Sequence, residues 1–194
     1  MDQAGMKRAA AKNTIEIEKK YRISQERLNA LKNDLTKMGA EKTGTDDEEN
    51  TIYAGGSLPS GSALRIRRTQ EKSFLTFKRR LANVSNAKRQ VEYESEISEP
   101  DNVDQIIREF GLRPSVIYEK RREKYRIRSA EVAIDELPFG LFVEIEGALT
   151  AIIEVELLLG IDDLTIEENT YPTLTRVNGK RVGGRIEARF ARPE

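Results

Sequence analysis

Alternation of apolar and polar residues is the dominant pattern along the chain. In residues 14–23, isoleucines and a tyrosine fall on one side of an extended chain, and charged side chains fall on the other. A period of two is typical of a strand with one buried face. The same alternation predicts further strands at residues 63–69, 73–80, 86–97, 115–128, 130–138 and 140–147. With the extended, acidic residues 40–53, the prediction is about eight strands.

Helices separate and follow these strands. Ser24 is a typical N-cap, and Leu28, Leu31 and Leu35 recur on one face before Gly39 ends the pattern. Further helices are predicted at residues 100–111, 149–160 and 169–177. The sequence therefore predicts one mostly antiparallel β domain over residues 14–177, with an N-terminal tail (1–13) and a basic C-terminal tail (178–194).

Composition excludes several kinds of chemistry. The 194 residues contain no Cys and no His, which excludes disulfides, thiolate nucleophiles, Ser-His-Asp triads and imidazole ligands. Any metal must then be held by oxygen, which favours Mg²⁺, Mn²⁺ or Ca²⁺. The 33 basic and 33 acidic residues cancel, so total charge does not indicate a nucleic-acid partner. No apolar run is long enough for a membrane span or a secretion signal, and we expect a cytoplasmic protein.

Nearly every predicted strand has one charged face. The polar positions are Glu16, Glu18 and Lys20; Arg65 and Arg67; Lys78; Glu92 and Glu94; Lys120, Arg122 and Lys124; Asp135; and Glu144 and Glu146. Two arrangements satisfy this pattern. An open sheet would expose its charges to water, whereas a closed barrel would enclose them and pack its apolar face under helices.

A charged interior would need a charged ligand, because ion pairs withdrawn from water seldom recover their desolvation energy. The basic side chains suit a polyanion, since arginine pairs with phosphate oxygens through two donors. The carboxylates suit a hard divalent cation. Together, these are the components of phosphoryl-transfer chemistry.

Several motifs, in order, resemble the CYTH family of triphosphate tunnel metalloenzymes. Glu16-Ile17-Glu18-Lys19-Lys20 is similar to the family's ExExK signature, and ALRIRR and FLTFKRR resemble its next two blocks. YEKRREKYRIR, VAIDELPFGLFVEIEG and TYPTL resemble later blocks in the same order. The similarity covers about residues 14–177, and it is the ordered recurrence of blocks that makes it specific.

The resemblance implies an eight-stranded antiparallel closed β-barrel (a tunnel) with helices packed outside, acting on triphosphate-bearing small molecules with Mg²⁺ or Mn²⁺. It implies metal binding by Glu16, Glu18, Asp135, Glu144 and Glu146. It implies catalytic and phosphate-binding roles for Lys20, Arg65, Arg67, Lys78, Lys120 and Arg122. Glu94 joins the expected substrate-binding set, because its strand carries acids in the family.

Three functions follow as hypotheses. The first is a metal-dependent triphosphatase, in which water attacks phosphorus and is activated by metal, a carboxylate or a lysine of lowered pKa. The second is a class IV-type adenylyl cyclase, which would convert ATP to cyclic AMP and pyrophosphate. The third is a non-catalytic module that binds polyphosphate or RNA, although the absence of Trp offers little for base stacking. We expect a monomer or a homodimer, and neither a membrane nor a nucleic-acid partner.

Overall fold

The fold consists of ten strands and four helices in the part of the chain that the computed structural model describes, residues 15–192. The predicted tail at residues 1–13 lies outside this range. The strands are β1 (Ile15–Ile23), β2 (Glu41–Gly55), β3 (Ser62–Arg68), β4 (Ser73–Arg80), β5 (Lys88–Glu96), β6 (Leu112–Ile127), β7 (Ala130–Leu137), β8 (Gly140–Gly147), β9 (Lys180–Val182) and β10 (Arg185–Ala188). The helices are α1 (Gln25–Lys37), α2 (Pro100–Glu109), α3 (Leu149–Leu159) and α4 (Tyr171–Asn178).

Eight of the strands close into a ring. Their order is β2-β3-β4-β5-β1-β8-β7-β6, every neighbouring pair is antiparallel, and β6 pairs again with β2. The closing pair runs from Glu41 opposite Arg126 to Gly55 opposite Leu112. This ring confirms the closed barrel and excludes the open sheet. The charged face of each strand therefore lies inside the ring, as the alternation requires.

Helices cover the apolar outside of the ring. Leu28, Leu31 and Leu35 of α1 pack in one core cluster with Ile152 and Val155 of α3. The same cluster contains outward side chains of four strands, among them Tyr21, Tyr125, Val132, Val143 and Ile145. The Ser24 side chain accepts a hydrogen bond from the Arg27 backbone N–H, which confirms the predicted N-cap. A smaller cluster under α2 contains Ile107, Tyr53 and Ile66.

One end of the barrel is filled by α4. Tyr171 and Leu174 pack there against Phe142, Val116 and Tyr118, and the ring centroids of Phe142 and Tyr171 are 5.3 Å apart. The Thr170 side chain caps this helix by accepting from the Thr173 backbone N–H. These inward positions are apolar, unlike those farther along the same strands. The charged part of the interior is therefore bounded on one side by an apolar plug.

The C-terminal segment forms a hairpin that the sequence pattern did not predict. Strand β10 adds to β6 in parallel and pairs with β9 through a turn at Gly183, whose φ is +59°. These two strands account for the difference between the ten observed and the eight predicted. Arg189 follows the hairpin and contacts carboxylate oxygens of Glu49 and Glu119 at 2.6 and 3.0 Å. The segment is thereby attached to both strands that close the ring.

None of the helices within residues 15–192 is long and apolar enough to cross a membrane.

Candidate active site

The inside of the barrel collects the charged side chains that the alternation predicted. Antiparallel pairing places Lys20 opposite Glu144, Arg122 opposite Asp135 and Lys78 opposite Glu92, so opposite charges face each other on adjacent strands. All of the predicted site residues lie on the inward parity of their strands. They divide into three groups, described below by their contacts.

The first group is centred on Arg65 and Arg67 of β3. Arg65 donates to the Thr76 hydroxyl at 3.2 Å, and Arg67 donates to Glu94 Oε1 at 2.9 Å. A second Glu94 oxygen lies 3.5 Å from Arg65. The Nε–H donors of both arginines are buried and have no hydrogen-bond acceptor among the described residues. Because an unpaired buried donor is unfavourable, these two groups are suited to bind an anionic ligand.

The second group surrounds Asp135, whose side chain is fully buried. Arg122 donates to both Asp135 oxygens, at 2.7 and 2.6 Å, and also to Glu144. The Tyr171 hydroxyl donates to Asp135 at 2.7 Å, and Lys120 Nζ lies 3.6 Å away. Burial would raise the pKa of Glu144, but Arg122 and Lys20 outweigh it and lower that pKa to about 2. Asp135 therefore holds two bases and a tyrosine in a fixed arrangement.

Lys20 and Lys120 share an unusual environment. Lys20 donates to the Asn169 backbone oxygen at 2.5 Å, and its Nζ lies 4.2 Å from the centroid of the Tyr171 ring. Lys120 Nζ lies 5.4 Å from the same centroid. Burial lowers the pKa of both lysines, and nearby Arg122 adds to this effect at Lys120. Both are therefore candidates for a proton-transfer role that an ordinary lysine could not fill at neutral pH.

The third group is rich in carboxylates. Glu16 accepts from Lys78 at 3.1 Å and from Gln90 at 2.5 Å, and Glu18 accepts from Lys88 at 2.7 Å. The pKa of Glu146 is raised to about 8, chiefly by burial and in addition by the nearby Glu16 and Glu18 carboxylates. Burial and contact with Glu16 likewise raise the pKa of Glu92 to about 7. A cation placed among these carboxylates would relieve their mutual repulsion.

The predicted metal ligands do not all lie together. Glu16, Glu18 and Glu146 belong to the carboxylate-rich group, whereas Asp135 and Glu144 contact Arg122. Within residues 15–192 there is no set of three acidic side chains already arranged as a metal site. The oxygen donors nevertheless fit a hard divalent cation, because Glu92 and Glu146 each lie against the Glu16 carboxylate, which raises the pKa of both.

Glu48 is an inward acid that the sequence analysis missed. Its carboxylate is buried, one oxygen lies 3.3 Å from Lys120 and the other lies 3.6 Å from Arg67. Burial opposes its charge, but Lys120, Arg122 and the two β3 arginines together lower its pKa below the ordinary value. Glu48 alternates along β2 with the same period as Asn50 and Ile52, which would place it on their side of the strand. Which side faces the tunnel becomes clear only from the β2–β6 register. Glu48 links the first two groups.

Comparison with known proteins identifies the family. The model of the CYTH domain matches residues 14–167. The chain belongs to the CYTH family. A Methanocaldococcus jannaschii protein named "Putative adenylate cyclase" is 27% identical to it over 150 residues, which cover 75% of this chain and 83% of the relative.

Solved structures share the CYTH fold with this chain. A Pyrococcus horikoshii protein superposes with a TM-score of 0.71 at 24% identity, covering 80% of this chain and 96% of that one. A Hippeastrum protein, named as a "putative adenylyl cyclase" with a dominant triphosphatase activity, superposes with a TM-score of 0.64 at 20% identity. That match covers 87% of this chain and 97% of the other. At these identities the structures establish the tunnel fold.

Proposed function

We propose that this CYTH protein is a divalent-metal-dependent triphosphatase, acting on inorganic triphosphate or an organic triphosphate. The observation that carries the proposal is the pair of buried Nε–H donors on Arg65 and Arg67, which find no acceptor in the described part of the chain and lie inside a closed, charged tunnel. Phosphate oxygens are the acceptors that a pair of adjacent guanidinium groups recognises best. The remaining predicted bases lie on the same inner surface.

The basic side chains are proposed to bind the phosphates and to stabilise the charge that develops during hydrolysis. These are Lys20, Arg65, Arg67, Lys78, Lys120 and Arg122, with Glu94 orienting the two β3 arginines. Fixed donors of this kind stabilise a transition state because they need no reorganisation when charge develops. Two of these charges are paired with acids of the tunnel: Arg67 lies beside Glu48 and Glu94, and Arg122 lies beside Asp135 and Glu144.

The carboxylate-rich group is proposed to hold Mg²⁺ or Mn²⁺, through Glu16, Glu18 and Glu146 with help from Glu92. When bound, such a cation offsets negative charge on phosphate oxygens. The family resemblance implies the same role for Asp135 and Glu144, but their contacts with Arg122 suit them to orienting that arginine. The attacking water can lose its proton to Lys20 or Lys120, the two lysines whose pKa burial lowers.

The aromatic side chains at the α4 end of the tunnel favour hydrolysis over cyclisation of ATP. A cyclase must also position a base and a ribose, and aromatic faces commonly supply the stacking surface for a base. At the α4 end of the tunnel, Tyr171 is packed against Phe142 and Tyr118, with centroids 5.3 and 6.2 Å apart. Because these three rings pack against one another, their faces do not offer a stacking surface for a base.

The proposal is tested by incubating purified protein with tripolyphosphate, ATP or thiamine triphosphate and either Mg²⁺ or Mn²⁺. We expect phosphate release from at least one substrate, and its loss in a Glu16→Ala, Glu18→Ala variant. Chromatography of the ATP reaction separates the alternatives, since cyclic AMP with pyrophosphate would establish a cyclase. Absence of turnover on all three substrates, with tight and salt-dependent RNA binding, would establish a non-catalytic module.

A further inference from the structure

A buried ionic cluster lies outside the tunnel, on the opposite face of the strand that carries Glu16, Glu18 and Lys20. Glu156 of α3 accepts two hydrogen bonds from Lys19 Nζ, at 2.9 and 2.8 Å, and another from the Tyr21 hydroxyl. The side chains of Glu156 and Lys19 are only 9% and 10% exposed, and Tyr21 is buried. None of these three side chains belongs to the groups of tunnel residues described above.

Strand β1 needs support at this point. Its pairing with β5 ends at Glu18, opposite Lys88. Beyond Glu18, that edge of β1 meets an irregular segment among the described residues. The Tyr21 bridge to Ile166 has two backbone hydrogen bonds there, from Glu167 N–H to the Lys20 oxygen at 2.7 Å and from Arg22 N–H to the Thr165 oxygen at 3.2 Å. Lys20 therefore lies on a half-strand with one regular strand neighbour, β8. An irregular neighbour fixes a strand less firmly than a ladder.

The cluster is placed to supply that support. Lys19 and Tyr21 flank Lys20 in sequence, and their side chains point outward because alternate residues of a strand face opposite sides. Their common partner, Glu156, belongs to a helix whose Ile152 and Val155 are fully buried in the same core cluster. Glu156 therefore fixes β1 to α3 on both sides of the inward-facing lysine.

An ionic cluster is an expensive way to join a helix to a strand, because apolar residues of similar volume are often equally or more stabilising. A buried, hydrogen-bonded carboxylate instead fixes geometry, since it has defined partners and directions. We propose that Glu156 is a positioning residue, which through Lys19 and Tyr21 holds Lys20 in the place required for binding the phosphates. This inference rests on the proposed function for its catalytic consequence.

The test replaces the cluster with apolar residues. In a Lys19→Met, Tyr21→Phe, Glu156→Leu variant we expect an unfolding midpoint equal to or above that of the native protein. We expect affinity for tripolyphosphate, measured by calorimetry, to fall roughly tenfold to hundredfold, as is usual for a displaced binding group. Native-state amide exchange at residues 20–22 should accelerate. Glu154→Gln is the matched control, because Glu154 is on the same helix but its side chain is 59% exposed.

Tyr21→Phe alone serves as the second variant, because it removes one hydrogen bond and leaves the ion pair intact. It should fold, and it should weaken tripolyphosphate binding several-fold while the control does not. Native affinity and native exchange in both folded variants would overturn the positioning role and leave the cluster with a stabilising role only. Failure of the proposed function looks different: the native protein would not bind tripolyphosphate, and the exchange measurement would still test whether Glu156 fixes β1.

Discussion

The Tyr171 hydroxyl donates a hydrogen bond to Asp135 Oδ2 at 2.7 Å. Because Asp135 is also paired with Arg122, this bond connects helix α4, which plugs the barrel, to an arginine inside the tunnel. The same Asp135 accepts two hydrogen bonds from Arg122, which donates a third to Glu144. The orientation of Arg122 therefore depends in part on whether α4 is docked.

Replacing Tyr171 by Phe tests this connection. The ring remains to fill the plug, but Asp135 loses one donor, so we expect a loss of about 1–2 kcal/mol in the free energy of unfolding. Because Arg122 is then less firmly oriented, we expect KM for triphosphate to rise roughly tenfold. Urea unfolding and steady-state kinetics measure the two effects. Val177→Ala, at an exposed position of the same helix, should change neither, and an unchanged KM in Tyr171→Phe would separate α4 from the site.

Arg65→Ala is expected to affect activity far more than stability. Arg65 is half-buried in the tunnel, its Nε–H has no acceptor within residues 15–192, and the neighbouring Glu94 keeps a partner in Arg67. Loss of a fixed donor at developing charge commonly lowers kcat about 10²–10³-fold. We expect a kcat/KM loss of that order with an unfolding midpoint within a few degrees of native. Arg79→Ala, exposed at the end of β4, is the control. A large fall in midpoint would instead identify Arg65 as part of a structural ion pair.

Ile145→Asp should have the opposite effect. Ile145 is fully buried between the inward-facing Glu144 and Glu146, and its own side chain points out of the ring into the helix-covered core. An unpaired charge at that position should destabilise the domain by roughly 3–5 kcal/mol, enough to unfold much of it. Far-UV circular dichroism and thermal unfolding would show the change. A stable, folded Ile145→Asp protein would mean that the helix-covered face is not the core.

The carboxylate-rich group predicts a dependence of stability on pH. The folded-state pKa of Glu146 is about 8, above its ordinary 4.5, so the fold favours the protonated form. Its contribution is complete below pH 4.5 and is lost as pH rises through 8. Without metal, the urea midpoint should therefore decline between about pH 5 and pH 8.

Glu146→Gln should reduce that decline, because glutamine cannot ionise, and should leave the smaller part that comes from the raised pKa of Glu92. Mg²⁺ should flatten it in the native protein, because a bound cation favours the charged carboxylate and stabilises the folded state that binds it. Parallel pH curves for the native protein and Glu146→Gln would contradict the assigned pKa. A curve that Mg²⁺ leaves unchanged would argue against metal binding in this group.

Much of the tunnel can be predicted from the sequence because a strand has a period of two. That period determines which residues share a face, so the alternation alone places Glu16, Glu18 and Lys20 together on the charged side of β1. Closure of the ring does not follow from periodicity, since it depends on the pairing of Asn50 with Tyr118 and of their neighbours, which are far apart in the chain. The motif resemblance supplies that part.

The residues that the sequence analysis missed share a physical cause, which is that their roles arise between elements. In the sequence, Glu156 is a single polar residue in an apolar helix. Its role becomes visible only in the fold, where Lys19 and Tyr21 donate hydrogen bonds to it. Tyr171 packs in the plug, as its aromatic ring suggests, but its hydroxyl also reaches Asp135. The β9–β10 hairpin has a local signal in its Gly-Gly turn, yet three- and four-residue strands are too short for alternation to be recognised.

The circular order of the strands also determines when the site can form during synthesis. Strand β1 is made first among the described elements, but its partner β8 ends at Gly147, and the β2 edge is covered only when β6 has been made. Such contacts between distant parts of a chain form slowly, because loop entropy must be overcome before they are gained. Until the ribosome has released most of the domain, Glu18 and Lys20 face water on an unfinished sheet. The charged lining of the tunnel is thus complete only when the last strands of the ring have been made.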